Sequence, residues 1–102
     1  RTRTQFGAAR QKFAHLHRRS VSVPCPWSRK GTVMRKLSTG SESKDRQLID
    51  GIRIFEDSGW VLVAPDRQTA AFNIMAESTS VENTDQLVAQ YRELVETSQH
   101  GD

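Results

Sequence analysis

The stretch DGIRIFEDSGWVLVAPDRQTAAFNIMAE, residues 50–77, decides the fold because it holds the densest apolar pattern in the chain. The run 49–55 alternates isoleucine and arginine at its centre, with the period of two that is typical of a half-buried strand. The run 60–64 is continuous, apolar and β-branched, as in a strand that is covered on both faces or central in a sheet. The run 71–77 puts alternate apolar residues on one face, namely Phe72, Ile74 and Ala76. The stretch therefore predicts a three-stranded antiparallel meander.

Two turns join these strands. Residues 56–59 supply turn chemistry, and Gly59 can adopt a positive φ without steric cost. Residues 65–69, Pro-Asp-Arg-Gln-Thr, form a polar loop that interrupts the apolar pattern.

The segments before the meander predict a strand and a helix. Residues 20–24 alternate serine with valine, which predicts a short strand that Pro24 and Pro26 stop. Ser28 can cap a helix, and residues 38–45 form a loop rich in serine and charge. The apolar face of this helix comprises Val33, Met34 and Leu37.

A second helix follows the meander and begins at Ser80 or Asn83. Its apolar face has a clear period of 3.6 and comprises Leu87, Val88, Tyr91, Leu94 and Val95. The order β-α-β-β-β-α predicts an α+β fold, an antiparallel sheet of about four strands with two helices on one face.

The chain has 102 residues, enough for one domain with a modest core. We assign this domain to residues 20–98. Residues 1–19 are basic and carry a narrow apolar stripe, so they predict an amphipathic helix or a linker from a preceding domain. Residues 99–102 are expected to be a disordered tail. The first residue is not methionine, which suggests an excised piece of a longer protein.

Composition excludes several classes of protein. No apolar run approaches the roughly 20 residues of a membrane span, and no signal-peptide segment is visible, so we expect an intracellular protein without a membrane partner. Cys25 is the single cysteine and suits a reducing compartment. With His15 and His17 it matches no zinc spacing, and no metal site is predicted. The acidic residues near the last helix predict a solvated face: Asp85, Glu93 and Glu96.

The chain has two tryptophans, Trp27 and Trp60. Trp60 is expected in the core. Trp27 follows a Pro-Cys-Pro kink, and the core is favoured for it over a contact with a missing domain.

Charge is distributed unevenly along the chain. Residues 1–41 carry +10 and contain no acidic residue, whereas the remainder carries −7. This asymmetry predicts a charged partner for the first part, or two parts that face one another.

Two stretches resemble the C-terminal domain of the α-D-phosphohexomutases, the phosphoglucomutase/phosphomannomutase family. One is DGIRI (50–54), which leads through GWVLV (59–63) and a proline-containing loop to the strand that ends at Glu77. The other is VPCPW (23–27) with KGTVMR (30–35), which is similar to the subgroup whose mutase domains follow a sugar-phosphate nucleotidyltransferase. The resemblance covers about residues 20–97 and implies a TBP-like fold for this domain.

The family resemblance implies a four-domain enzyme that transfers a phosphoryl group between the 1 and 6 positions of a hexose. It implies a phosphoserine in the first domain, Mg²⁺ in the second, sugar recognition in the third and phosphate binding in the last. The expected partner is thus a hexose phosphate, in the cytoplasm, with no cofactor in this domain. The chain has no Ser-His-Asn and no Asp-Gly-Asp-x-Asp motif, so it is expected to catalyse nothing by itself.

In most members the phosphate loop reads Arg-Pro-Ser-Gly-Thr-Glu-Pro, and here residues 64–70 read APDRQTA. Only the proline matches by position, since Ala64 replaces the arginine and an aspartate replaces the serine. The resemblance implies five substrate-phosphate-binding residues: Pro65, Asp66, Arg67, Gln68 and Thr69. We expect Arg67 first, and Thr69 second, to supply donors to phosphate oxygens.

Two alternatives rank below this hypothesis. The one ranked second is a regulatory or interaction domain with a degenerate phosphate loop. The third is a basic nucleic-acid-binding module, built from Arg18, Arg19, Arg29, Lys30, Arg35 and Lys36. Nucleic acid is not expected as a partner, because no aromatic stacking motif is present and the acidic half would repel it.

Overall fold

The structure is a computed structural model that describes residues 16–48 and 50–100. Its elements, in order, are β1 (His17–Pro24), a 3₁₀ turn (Trp27–Arg29), α1 (Lys30–Gly40), β2 (Arg46–Gln47), β3 (Ile52–Glu56), β4 (Gly59–Pro65), β5 (Ala71–Ser78) and α2 (Val81–Ser98). The strands form one antiparallel sheet in the order β1-β5-β4-β3-β2. The predicted α+β fold is confirmed, and the two-residue strand β2 is added to it.

The core lies between one face of the sheet and the two helices. Period-two alternation buries one side of each long strand, as predicted, with Ile52, Ile54, Val61, Val63, Phe72, Ile74 and Ala76 in the core. The helices contribute Val33, Leu37, Leu87, Val88, Tyr91 and Val95. Strand β4 is the middle strand of the sheet. Its continuous apolar run therefore reflects a central position, since the face away from the helices is only half-buried.

Strand β1 begins at His17, so the prediction of a helix over residues 1–19 is wrong for residues 17–19. Antiparallel pairing with β5 continues to His17 opposite Ser78. A partly buried hydrogen bond joins this end to α2, since the Thr84 hydroxyl lies 3.0 Å from the carbonyl oxygen of His17 and can donate to it. Residues 1–15, with the rest of the predicted helix, lie outside the described residues.

Strand β3 begins at Ile52, three residues later than predicted. Asp50 has φ 59° and Gly51 has φ 150°, neither of which a strand allows, so the chain turns sharply before β3. A Cβ on Gly51 would lie 2.6 Å from the carbonyl oxygen of Val63, so the close approach of β4 also requires glycine here. Ile49 lies outside the described residues.

The helix ends differ in how they are capped. Ser28 lies within the 3₁₀ turn, and α1 starts at Lys30 without a side-chain cap, so the predicted Ser28 cap is wrong. Helix α1 also extends to Gly40, into the predicted loop. Ser80 caps α2 as predicted, since its hydroxyl accepts from the Asn83 backbone N–H at 3.0 Å. No helix in the described residues is long and apolar enough to cross a membrane.

Neither tryptophan is a core residue. Trp27 is 56% exposed in a 3₁₀ turn that has no buried residue, so its predicted core position is wrong. Trp60 is half-buried on the sheet face opposite the helices. Its indole N–H donates to Glu77 at 3.1 Å, and the Arg53 guanidinium lies 4.9 Å from its ring centroid. Polar groups therefore accompany the aromatic ring on this face.

Candidate functional site

The loop between β4 and β5 is organised by the carboxylate of Asp66. Its Oδ1 accepts hydrogen bonds from the backbone N–H groups of Gln68 (2.8 Å) and Thr69 (3.0 Å). Its Oδ2 accepts from the side-chain amide of Asn73 at 3.1 Å. An aspartate that bonds to the backbone two and three residues ahead stabilises a tight turn, which explains the loop's shape.

These hydrogen bonds also strengthen the preference of Asp66 for its ionised form. The backbone N–H of Gln68, the Asn73 amide and the backbone N–H of Thr69 lower the pKa of the Asp66 carboxyl to about 2. Asp66 is therefore ionised at neutral pH, and the loop contains a fixed negative charge.

Lys30 holds the same loop from its carbonyl side. Its ammonium donates to the backbone oxygens of Asp66 and Thr69, the latter at 2.6 Å, and lies 3.5 Å from the ring centroid of Trp27. Lys30 is only 8% exposed, so these carbonyls and the aromatic face replace most of the water around the cation. The start of α1 is thus joined directly to the β4–β5 loop.

A groove of about 480 Å³ lies between the start of α1 and this loop. It is lined by Trp27, Lys30, Gly31, Met34, Asp50, Gly51, Pro65, Asp66 and Arg67. Arg67 is the most exposed charged group here, with 85% of its side chain accessible, and its guanidinium lies 3.2 Å from the carboxylate of Asp50. An ion pair between two exposed side chains is weak, so an incoming anion can compete for Arg67.

The structure brings together three of the five predicted site residues. Pro65, Asp66 and Arg67 line the groove, whereas Gln68 and Thr69 do not and direct their backbone N–H groups to Asp66. The roles of Lys30, Asp50 and Asn73 were not predicted, and Lys30 stood only among the basic residues of the nucleic-acid alternative. A Pro-Asp pair after a strand signals the turn itself, but no local pattern indicates which distant lysine or asparagine completes it.

Neither a reactive thiol nor a metal site is found near the groove. Cys25 is buried, and burial raises the pKa of its thiol despite the opposing charges of Lys30 and Arg29. Within residues 16–48 and 50–100, no group of three or more His, Cys, Asp or Glu side chains could hold a metal ion. The chemistry that this arrangement supports is thus binding of an anion by a guanidinium on an ordered loop.

Three archaeal proteins, each named "Probable phosphoglucosamine mutase", are similar to this chain. The protein from Methanosarcina barkeri is 34% identical over 79 residues, which are 76% of this chain and 18% of that protein. The protein from Methanopyrus kandleri is 33% identical over 76 residues (72% and 17%), and that from Methanosarcina acetivorans 40% over 58 residues (56% and 13%). The chain thus spans less than a fifth of these curated relatives. No protein-family model matches it. The similarities support a relationship to the phosphohexomutases.

Proposed function

We propose that this chain is the C-terminal domain of a phosphohexomutase-like enzyme and that it binds the phosphate group of a hexose phosphate through Arg67. The observation that carries this proposal is the position of Arg67, exposed at the mouth of a groove on a loop that Asp66 and Lys30 hold in place. A guanidinium offers paired N–H donors that match two phosphate oxygens, and an ordered loop presents them with little entropy loss.

The other groove residues suit a sugar phosphate. Trp27 offers an exposed aromatic surface, and Asp50 offers a carboxylate that can accept hydrogen bonds from hydroxyl or ammonium groups. Because the relatives are named as phosphoglucosamine mutases, the substrates proposed here include amino sugars as well as glucose and mannose phosphates.

The test is an NMR titration of the 102-residue chain with glucose 6-phosphate and glucosamine 6-phosphate. We expect shifts at the Arg67 side chain and the Trp27 indole. The Arg67→Ala variant should weaken binding about tenfold or more, since hydrogen bonds to a charged group contribute on that order. Arg67→Lys retains the charge but not the paired donors and should weaken binding less.

Arg92→Ala is the matched control, because Arg92 is also an exposed arginine in an ion pair, with Glu96 on α2, but lies away from the groove. In the parent enzyme, Arg67→Ala should raise KM for the hexose phosphate, and Arg92→Ala should not. If Arg67→Ala leaves both the titration and the KM unchanged, the proposal is wrong and the chain is better explained as a regulatory or interaction domain.

Three further expectations belong to this proposal. The parent enzyme would bind Mg²⁺ in another domain, and the protein would act in the cytoplasm. The fusion to a nucleotidyltransferase stays a prediction, since the names of the three relatives mention only a mutase.

A further inference from the structure

The β4–β5 loop already contains an anion beside its own backbone donors. We infer that Asp66 acts as a built-in anion that excludes phosphate from the backbone N–H groups of Gln68 and Thr69 and leaves Arg67 as the donor for the ligand. Asp66 is thus a specificity-determining residue, because it decides which donors of the loop a phosphate ligand can use. The inference rests on the proposed function only in that this loop faces the ligand.

The backbone donors of the loop are already occupied by the Asp66 carboxylate. A backbone N–H carries a single hydrogen, and those of Gln68 and Thr69 both donate to Oδ1 of Asp66, at 2.8 and 3.0 Å. Oδ2 is held by the Asn73 amide at 3.1 Å, so the carboxylate is fixed at both oxygens. A phosphate oxygen can reach these two N–H groups only after the carboxylate leaves them.

The negative charge of Asp66 also acts against phosphate at these donors. The carboxylate is ionised, and a phosphate dianion next to it would meet a like charge at short range. The ammonium of Lys30 also contacts the loop backbone, but at the carbonyl oxygens of Asp66 and Thr69, on the other side of the loop. Both occupancy and charge therefore act against phosphate at the backbone.

The loop needs no ligand to be ordered. Asp66 also donates its backbone N–H to the carbonyl oxygen of Ala71 at 2.9 Å, and Cys25 donates to that of Ala70 at 2.9 Å. With these bonds and the Lys30 contacts, the loop is closed from both sides. A ligand that comes to this surface thus finds a rigid loop with one accessible guanidinium.

The experiment is a titration of the 102-residue chain with inorganic phosphate, followed by the backbone amide shifts of Gln68 and Thr69. Two variants separate the effect of the occupied N–H groups from the effect of the negative charge. Asp66→Asn retains an acceptor of the same shape without the charge, and Asp66→Ser removes the charge and leaves a shorter hydroxyl that holds the N–H groups more weakly than a carboxylate. Glu42→Gln is the control for the loss of one exposed negative charge elsewhere.

In an Arg67→Ala background, which removes the proposed ligand donor beside Gln68, phosphate should leave the amide shifts of Gln68 and Thr69 unchanged. Asp66→Ser should bind phosphate about tenfold more tightly than the wild type with shifts at both amides, and Asp66→Asn should lie between them. The inference is overturned if the Arg67→Ala chain with Asp66 intact already shows saturable shifts at these amides. It is equally overturned if neither variant gains affinity, and Asp66→Asn decides the matter if the serine variant loses its loop structure.

This result is separable from the test of the proposed function. A gain in Asp66→Ser with no effect of Arg67→Ala would sustain the inference and reject the phosphate role of Arg67. Weaker phosphate binding by Arg67→Ala, with no gain in Asp66→Ser, would support the phosphate role of Arg67 and reject the inference.

Discussion

Asp66 and Lys30 divide the polar groups of one loop between them. The carboxylate of Asp66 accepts from the N–H groups, and the ammonium of Lys30 donates to the carbonyl oxygens. Opposite charges on opposite sides of the same backbone satisfy groups that would otherwise depend on water or a ligand. At the scale of single residues, the site is thus ordered before any substrate arrives.

The Asp66 interaction predicts a pH dependence of stability. Because the folded pKa of about 2 lies below the ordinary value of 3.8, the stabilisation is complete above about pH 5 and is lost as the pH falls toward 2. The free energy of unfolding of the wild type, relative to Asp66→Asn, should therefore decrease between about pH 5 and 2. Urea titrations of both chains at several pH values measure this difference. A pH-independent difference would show that the carboxylate is not held as described.

Strands β4 and β5 approach each other unusually closely where β4 begins. Gly59 does not use the positive φ that glycine allows, because Gly51 is the only glycine in the described residues with a positive φ. The physical requirement at Gly59 is space instead. A Cβ there would lie 1.9 Å from the carbonyl oxygen of Glu77 and 2.6 Å from the Cα of Ser78, both backbone atoms of β5 that cannot move separately. At the scale of elements, this glycine permits the register of the two central strands.

Gly59→Ala should therefore destabilise the fold by about 3 kcal/mol or more, the upper range for overpacking, because the pairing of β4 and β5 must shift. Gly31→Ala is the matched control, since nothing lies within 4 Å of its added Cβ and alanine favours helix α1. It should stabilise the chain by up to about 1 kcal/mol. Urea denaturation of both variants provides the measurement. Equal effects would contradict the close approach of the strands.

At the scale of the whole fold, two basic side chains of β1 contact acidic side chains of the later part of the chain. Arg18 pairs with Glu77 at 3.2 Å and Arg19 with Asp85 at 2.9 Å, so β1 places the basic segment beside β5 and α2. Lys36 donates to the carbonyl oxygen of His100 at 2.5 Å, and Lys30 is buried. The predicted facing of the two parts is therefore observed for Arg18 and Arg19, whereas the basic residues before position 16 lie outside the described residues. These contacts also reduce the positive surface that a nucleic acid could use.

We accordingly predict that the chain does not bind a DNA duplex measurably at about 150 mM salt, because too few phosphates can be neutralised. The double variant Glu77→Gln, Asp85→Asn removes the acidic partners of Arg18 and Arg19 and should bind more tightly at low salt. Fluorescence anisotropy at two salt concentrations tests both chains. Tight binding by the wild type, with a steep loss as salt rises, would revive the nucleic-acid alternative.

The hydrogen bonds at the chain's end show the limit of local reasoning. Residues 99–102 are predicted to be disordered, yet Gln99 donates to the carbonyl oxygen of Pro24 at 2.8 Å and accepts from Arg29 at 2.6 Å. Gly101 and Asp102 lie outside the described residues, so the prediction for them stays untested. No pattern within the last four residues could reveal partners some seventy positions earlier.

The sequence by itself determined the α+β class, the meander and most of the buried faces of both helices, although Leu94 is 39% exposed, and it narrowed the start of α2 to Ser80 or Asn83. Each of these depends on periodicity or on hydrogen bonds between near neighbours. It also located the loop at residues 65–69. Only the tertiary structure decided that β1 begins at His17, that Trp27 is exposed, that Gly59 is required for space and that Lys30 closes the loop. The physical reason is that each of these depends on atoms brought together from distant segments, which no local pattern records.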